Sequence, residues 1–491
     1  MPDPLTLERA GADIDALGIR AIVQLLARTV ATRAISLIGT IALARLLTPD
    51  VFGVFAVVTV IVTFISVIGD FGISVALVQQ DHEPTDLELS TAIVAQVAIW
   101  SVTFVIIWFA AGAIPSIRPD LPPEAPAVAR LMAVGLILAG LRAVPAMMLT
   151  RVLRFGPLAA IEVGQQVVYF GLAVVLASAG YGVWSFAIAV VAQGAFATVV
   201  VNAVWHRWVG LRFDRSAARR LWGFGLGFQG AQALTWARDA VVPLFGGIAG
   251  GLTAVGYMSF AWRNGQLVGA VDQIVQRVAF PAYSRLQREP ERQAEVASRG
   301  IEAVTFPVAV VQVWIVATAT SLVPVIFSDR WSPAAVALQL VCLGSLAGPP
   351  TSILRSLIYA RGGARQAMVL AAAMLLVLLV SFPVLAATFG IAGAGLAFLA
   401  TNYIGLTIHA WATRTIVPFP WLRVARILAG VGAAGTVAWA ASVAIPGFPG
   451  LIVSGVAYLA ILAMLALRFE RSEVDRMLGL LRRGVPGPSR V

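Results

Sequence analysis

Long apolar runs recur along the whole chain, and each is long enough to cross a bilayer as a helix of about 20 residues. Hydrophobic residues make up 59% of the sequence and charged residues 12%, whereas soluble domains carry roughly 25% charged residues. The sequence therefore predicts an all-α polytopic membrane protein with about 14 transmembrane helices. The predicted spans lie at 19–46, 52–79, 88–114, 126–150, 157–179, 182–205, 222–248, 253–280, 299–327, 333–359, 365–388, 391–413, 425–444 and 450–468.

The positive charges are distributed unequally between the two sides of these spans. If the N-terminus is cytoplasmic, the outer connections carry only Arg118 and Arg330. Such an excess on one side predicts that both chain ends are cytoplasmic, and it accounts for the net charge of +11 without a nucleic-acid partner. The inner connections and the tail hold Arg151, Arg154, Arg207, Arg212, Arg215, Arg219, Arg220, Arg285, Arg288, Arg292, Arg361, Arg365, Arg414, Arg423, Arg468, Arg471, Arg476, Arg482, Arg483 and Arg490.

The composition excludes several kinds of chemistry. All 35 basic residues are arginine, so there is no lysine for a Walker A loop or a Schiff base. Cys342 is the sole cysteine, and His82, His206 and His409 are far apart with no metal-ligand spacing. The outer loops are too short for a catalytic domain. We expect no enzyme activity, no metal and no cofactor.

An internal repeat is indicated by two glycine turns. The segment Leu47-Thr-Pro-Asp-Val-Phe-Gly53 opens span 2, and Gly251-Leu-Thr-Ala-Val-Gly256 opens span 8, with an offset of 256 − 53 = 203. The turn glycines Gly182 and Gly393 are 393 − 182 = 211 apart. Repeats of this kind are common in secondary transporters. They predict two pseudo-symmetric six-helix lobes followed by two C-terminal helices.

These observations divide the chain into six segments. The inter-lobe connection alternates arginine with apolar residues, as does Phe469–Leu481, so each is either an amphipathic segment on the anionic membrane surface or an ordinary positive flank. The tryptophans Trp205, Trp208, Trp222, Trp331 and Trp421 are predicted to lie at the membrane interfaces. The segments are a cytoplasmic N-terminus 1–18, an N-lobe 19–205 (spans 1–6), a cytoplasmic amphipathic connection 206–221, a C-lobe 222–413 (spans 7–12), two additional spans in 425–468 and a cytoplasmic tail 469–491.

Arginines interrupt several apolar runs near mid-membrane. Arg33, Arg238 and Arg263 lie at similar predicted depths on spans 1, 7 and 8. A charge at that depth costs about 2.5–3.5 kcal/mol or more, so it must face a protein interior or a wet cavity. The group predicts a cavity for a negatively charged cargo. The alternative is neutralisation inside the bundle, for which Asp239 adjoins Arg238.

A second set of charges lies closer to the cytoplasmic ends of the spans. Arg28 and Asp70 are predicted at one depth on consecutive spans, where they form either a structural ion pair or a gate that breaks during transport. Arg142 is predicted to join this network, and Asp272 is the second-half equivalent of Asp70. Further structural pairs are expected between Glu162 and Arg154 and between Glu302 and Arg299.

Several motifs resemble one transporter family. The resemblance covers nearly the whole chain, and the order and spacing of the motifs carry it rather than any single one. The motifs are Ala44–Gly53, Gly69–Gln80, Arg151–Phe155, Ala279–Arg292 and Phe327–Trp331. They are similar to bacterial lipopolysaccharide and exopolysaccharide flippases, in particular the colanic-acid and teichuronic-acid branch of polysaccharide exporters in the multidrug/oligosaccharidyl-lipid/polysaccharide superfamily.

The resemblance implies a secondary flippase with spans 1, 2, 7 and 8 around a central cavity. Its cargo would be a polyprenyl-diphosphate-linked oligosaccharide, moved to the outer leaflet of the bacterial cytoplasmic membrane. The resemblance assigns no role to individual residues; from their shared depth and the paired donors of a guanidinium we expect Arg33, Arg238 and Arg263 to hold the diphosphate. We expect a monomer surrounded by membrane lipids and working with polysaccharide polymerase or assembly proteins. A drug or cation antiporter on the same fold is the main alternative, and it would rely on Asp70, Asp239 and Asp272. A membrane glycosyltransferase or polymerase, or a scaffold without transport, is less compatible with the residues.

Overall fold

The computed structural model describes residues 28–67, 83–152, 155–206, 209–210, 212–218, 234, 237–266, 275, 279–280 and 282–469. Every regular element in these residues is a helix, which confirms the all-α prediction. Three residues of the predicted charge networks, Asp70, Arg154 and Asp272, lie outside the described residues. So do the segment 1–18 and the tail beyond Phe469.

The first six helices follow predicted spans 1–6. They are α1 Arg28–Leu46, α2 Pro49–Val67, α3 Asp86–Ala110, α4 Ala125–Arg151, α5 Phe155–Ser178 and α6 Trp184–Trp205. A capping box starts α3: the Thr85 hydroxyl accepts from the Glu88 N–H, and the Glu88 carboxylate accepts from the Thr85 N–H. This exchange satisfies two amides that have no partner inside the helix.

Eight further helices follow. The helical residues 237–245 (α7) run into a 3₁₀ turn, Gly246–Ala249, ahead of α8 Gly251–Gly265. The remaining helices are α9 Pro290–Ile326, α10 Ala334–Ser345, α11 Gly348–Ala360, α12 Ala364–Ala412, α13 Trp421–Ala444 and α14 Phe448–Phe469. Together, α10 and α11 form one apolar stretch, Ala334–Ala360.

Ten helices of the described chain are long and apolar enough to cross a membrane. A helix suits this role because it satisfies its backbone hydrogen bonds internally, where the bilayer offers no water. The protein is therefore a multi-pass membrane protein. The number fourteen stays a prediction, because the described part of α8 has only 15 residues and α7 is shorter still.

Glycines form the predicted tight turns between spans. Gly180 and Gly182 have φ of +83° and +53° between α5 and α6, and Gly250 and Gly251 precede α8 with φ of +143° and +72°. Gly390, with φ of +59°, breaks α12 at the predicted turn between spans 11 and 12. Residues with a Cβ rarely adopt this backbone region. The prediction of glycine turns is confirmed at these three places.

Contacts group the chain into two compact units. The first is Met1–Phe260 with Leu378–Ala394, and the second is Ala261–Val377 with Gly395–Val491. In the first, the Phe55 ring stacks on Phe186 with centroids 4.5 Å apart. In the second, the Tyr458 hydroxyl donates to the Val310 carbonyl at 2.9 Å, within a core formed by α9, α13 and α14. The predicted lobes 19–205 and 222–413 rest on the sequence repeat and stay a prediction.

The described part of the connection 206–221 is attached to the start of α3. The Ser90 hydroxyl lies 2.8 Å from the Arg212 carbonyl, and the Thr91 hydroxyl accepts from the Asp214 N–H at 3.0 Å. Asp214 in turn accepts from the Ala217 N–H at 2.9 Å, which caps the helical turn 215–218. Because Ser90 and Thr91 are fully buried, the connection has a fixed attachment at its first half.

Two sequence predictions were wrong. Trp331 is completely buried, so it cannot be a lipid-facing interface anchor. Glu302 accepts from Arg423 at 2.8 Å rather than from Arg299, which pairs with Glu295. Glu295 and Arg299 are four residues apart on α9 and therefore share a face, while the start of α13 brings Arg423 to Glu302.

Candidate functional site

Arg33 lies on a polar stripe of α1. Thr29, Ser36 and Thr40 share this face, because their spacing of three or four residues matches the helical repeat. Ser36 also donates to Gln166 of α5 at 3.4 Å. The Arg33 side chain is exposed, and it has no ion-pair or hydrogen-bond partner within the described part of the chain. No described residue therefore neutralises the Arg33 charge.

Arg28, one turn closer to the predicted inner side, is paired. Its Nη1 lies 3.1 Å from Glu162 Oε1 of α5, and the two side chains are 25% and 46% exposed. Sequence reasoning had expected Asp70 as the partner of Arg28 and Arg154 as the partner of Glu162. Both expected partners lie outside the described residues, so the network with Asp70 stays a prediction.

Arg238 contacts its neighbour in the chain. Its Nη2 lies 3.2 Å from Asp239 Oδ1, with the side chains 36% and 46% exposed. A half-exposed pair of adjacent residues holds its geometry weakly, because solvent screens the attraction. Arg238 is thus partly neutralised and remains accessible.

Arg263 is the exposed residue near the end of α8. The residues around it in the chain are buried, with Phe260 2%, Ala261 0% and Asn264 7% exposed. The side chain of Arg263 has no ion-pair or hydrogen-bond partner among the described residues. Its helix is held by its buried faces, and no described residue pairs with the guanidinium.

Gln312 of α9 supports the end of α8. Its Nε2 donates to the carbonyl of Gly265 at 2.8 Å, and Gln312 is 0% exposed. This bond joins α9 to the last residue of the described part of α8. Gly265 is two residues beyond Arg263. The sequence analysis did not single out Gln312, although it is a lone amide side chain inside the apolar run of predicted span 9.

Arg142 of α4 has a buried guanidinium nitrogen. Its Nη1 makes no hydrogen bond within the described residues. A buried unpaired cation is costly, which is consistent with a partner in a segment that is not described, such as the predicted Asp70. The contact between them stays a prediction, as does the matching role of Asp272.

The motif Ala279–Arg292, which carries the resemblance most specifically, has a structural role. Gln293, the residue after it, is fully buried; its Nε2 donates to the Tyr283 carbonyl at 2.9 Å and its Oε1 accepts from Arg361 Nη2 at 2.8 Å. Burial raises the pKa of the Tyr283 phenol to about 12. These contacts join the start of α9 to Tyr283 and to Arg361, the residue that follows α11.

The three arginines predicted at mid-membrane depth thus differ in their exposure and pairing. Arg33 and Arg263 are exposed and unpaired within the described residues, and Arg238 is half-exposed beside a carboxylate. Exposed cations in apolar spans suit an anionic group, because a guanidinium donates paired hydrogen bonds to phosphate or carboxylate oxygens. Their convergence on one space is a proposal, taken up below.

Known proteins resemble this chain in sequence. Residues 42–336 match the family described as polysaccharide biosynthesis protein. The succinoglycan biosynthesis transport protein ExoT of Rhizobium meliloti (strain 1021) is 24% identical over 306 residues, which is 61% of this chain. The match spans 60% of that relative's length.

Solved structures resemble it in fold. A lipid II flippase, MurJ, in an inward closed conformation has a TM-score of 0.71 at 14% identity, covering 91% of this chain and 99% of the flippase. An inward-facing multidrug resistance transporter of the MATE family, in the MOP superfamily, has a TM-score of 0.60 at 16% identity, covering 83% and 98%. These identities support a shared fold alone. Since the family match covers more than half of the 491 residues, the chain belongs to the polysaccharide biosynthesis protein family.

Proposed function

We propose that this protein is a secondary flippase for polyprenyl-diphosphate-linked oligosaccharides, moving them from the inner to the outer leaflet of the bacterial cytoplasmic membrane. The family membership, a relative named as a succinoglycan transport protein and a fold shared with a lipid II flippase support this reading. The positive-inside pattern supports cytoplasmic chain ends.

The observation that carries the proposal is that two arginines in apolar spans, Arg33 and Arg263, are exposed and have no partner among the described residues. A chain retains such charges in a membrane when they serve a substrate path. Together with Arg238 they would hold the diphosphate, whose oxygens accept the paired N–H groups of a guanidinium. The sugars would occupy the wet space and the prenyl tail would stay in lipid.

Transport on this proposal requires no covalent chemistry. Without lysine there is no Walker A motif to bind ATP phosphates. Rocking of two repeat-related lobes would expose the site alternately to each side. We further propose that the protein works as a monomer, supplying substrate to polysaccharide polymerase or assembly proteins.

A drug or cation antiporter is the second candidate, favoured by the likeness to a MATE transporter. Such a site needs free carboxylates within the membrane. In the described helices α5 and α7, Glu162 and Asp239 each contact an arginine instead. Paired carboxylates are poor cation ligands, so the charge state of these helices favours an anionic cargo.

The test replaces the arginines one at a time in cells that depend on this protein for a surface glycan. Arg33→Ala, Arg238→Ala and Arg263→Ala are expected to lower glycan output at normal protein abundance. Each charge-assisted contact is worth roughly 1.5–3 kcal/mol, so binding should weaken about tenfold or more. Arg426→Ala, at an exposed arginine of α13, is the matched control and should leave glycan output unchanged.

Two results would count against the proposal. Normal glycan output in all three single variants and in the Arg238→Ala/Arg263→Ala double variant would show that these arginines do not hold the diphosphate. Reduced membrane abundance in step with reduced glycan would instead indicate a structural role, since a former partner charge would be left buried.

A further inference from the structure

The first turns of α2 and α8 touch through two glycines. A Cβ built on Gly53 would overlap the carbonyl oxygen of Leu252, and one built on Gly256 would overlap the carbonyl oxygen of Pro49. Backbone lies directly against backbone at both places. Glycine is therefore required twice, for close approach rather than for a turn.

The two glycine contacts are related to each other by the offset of the sequence repeat. The offset of 203 that separates Gly53 from Gly256 also separates Pro49 from Leu252, because 252 − 49 = 203. Gly53 approaches Leu252. Its repeat equivalent, Gly256, approaches Pro49, which is the repeat equivalent of Leu252. This reciprocal pattern is the mark of a twofold contact. The two turns therefore pack around a local pseudo-twofold axis.

A polar pair at equivalent positions joins the same two turns. The Thr253 hydroxyl donates to Asp50 Oδ1, and 253 − 50 = 203. The negative charge of Asp50 also acts on Tyr257, one turn further along α8. The hydrogen bond thus adds a polar link to the backbone contact between these turns.

A second attachment holds the segment just before α8. Arg118, in the loop after α3, donates to the Leu244 carbonyl at 3.2 Å and to both oxygens of Asp120 at 2.8 Å. A Cβ on Gly247 would lie 3.0 Å from Arg118 Nη2. The residues 237–260 are therefore fastened within the first unit at two separate places.

We propose that residues 49–53 and 252–256 form an outer clasp, a contact that holds spans 2 and 8 together at their predicted outer ends and separates in each transport cycle. The role in transport rests on the proposed function, whereas the contact itself does not. Opening would separate the two glycine faces, break the Asp50–Thr253 hydrogen bond and expose Val255, which packs in the core with α2. The Asp50–Thr253 bond would then set how long the clasp stays closed.

The test measures labelling of a buried cysteine beside the clasp. Val255 is 0% exposed and packs in the same core as α2, so Val255→Cys, in a Cys342→Ala background, should react slowly with a membrane-impermeant maleimide applied from outside. Thr253→Val should raise the rate about tenfold, as expected for loss of a hydrogen bond to a charged group. Gly256→Ala should raise it at least as much, because its Cβ prevents closure.

Matched controls distinguish opening of the clasp from destabilisation of the whole protein. Ala173→Cys, on α5 and also 0% exposed, should keep its low rate in every variant, and Gly171→Ala, which meets open space, should not accelerate labelling of Val255→Cys. The proposal is overturned if Thr253→Val and Gly256→Ala leave the rate for Val255→Cys unchanged, or if that cysteine reacts freely in the parent. The labelling rate of Val255→Cys can be measured on purified protein without lipid-linked sugar. This test of the clasp can therefore fail or succeed independently of the glycan output of the arginine variants.

Discussion

The side-chain amide of Gln312 donates a hydrogen bond of 2.8 Å to the main-chain carbonyl of Gly265. Gln312 is completely buried on α9, and Gly265 is the last residue of α8, two residues beyond Arg263. An unsatisfied carbonyl in the membrane interior costs several kcal/mol. Gln312 thus stabilises the helical turn that presents Arg263.

Replacing Gln312 by leucine should destabilise the protein measurably. The Gly265 carbonyl would lose its partner in a buried place, at a cost of about 1–3 kcal/mol. Thermal unfolding of the detergent-solubilised protein measures the change. Gln339→Leu is the matched control: Gln339 donates to the Val316 carbonyl at 2.9 Å, and that carbonyl lies inside α9, where it already has a helical partner. Equal losses of stability in the two variants would contradict the role given to Gln312.

The pair Arg28–Glu162 should show coupling in a double-mutant cycle. Because both side chains are partly exposed, solvent screens the pair and its contribution should be about 1 kcal/mol or less. Glu162→Gln and Arg28→Gln should each lower stability, and the double variant should lose less than the two single losses added together. Strict additivity in unfolding measurements would show that Arg28 relies on another partner, such as the predicted Asp70.

Gly39 should tolerate no side chain. A Cβ there would overlap the Phe170 ring of α5, so Gly39→Ala is expected to destabilise by about 1–3 kcal/mol through overpacking. In a Phe170→Ala background the same substitution should cost little, because the ring is gone. Gly171→Ala, which meets nothing within 4 Å, serves as the control. An equal cost of Gly39→Ala in both backgrounds, measured by thermal unfolding, would show that α1 and α5 do not pack at this point.

The outer loop should respond to acid through Asp120. The hydrogen bond from Arg118 lowers the pKa of the Asp120 carboxyl and raises that of Arg118. A group that titrates lower in the folded state stabilises it at pH above the unfolded pKa, about 3.9 for aspartate, and this stabilisation is lost as the pH falls through the folded value. The stability difference between the wild type and Asp120→Asn should be constant from pH 7 to about 5, begin to shrink near pH 4, and vanish only when the pH has fallen below the lowered folded pKa of Asp120. A difference that disappears near neutral pH would contradict the pairing.

Local sequence patterns were sufficient for the helices and their turns. The apolar runs predicted α3 to α6 within a few residues, and the glycines at 182 and 251 marked real turns. A bilayer forces each segment to satisfy its backbone hydrogen bonds internally. Helix position then follows from apolar length and from breakers, both of which are readable along the chain.

Which side chains meet was decided only by tertiary structure. Glu162 pairs with Arg28, Glu302 pairs with Arg423, Trp331 is enclosed, and Gln312 reaches Gly265. The partners are up to 134 residues apart, and their meeting depends on the helices that pack side by side. The sequence predicts the depth of each charged residue in its span, which limits its possible partners to residues at the same level of the membrane. It does not predict which of those residues is the partner. The sequence by itself therefore determined a helical membrane protein with arginines in its spans, and helix packing determined which of those charges are paired and which remain exposed.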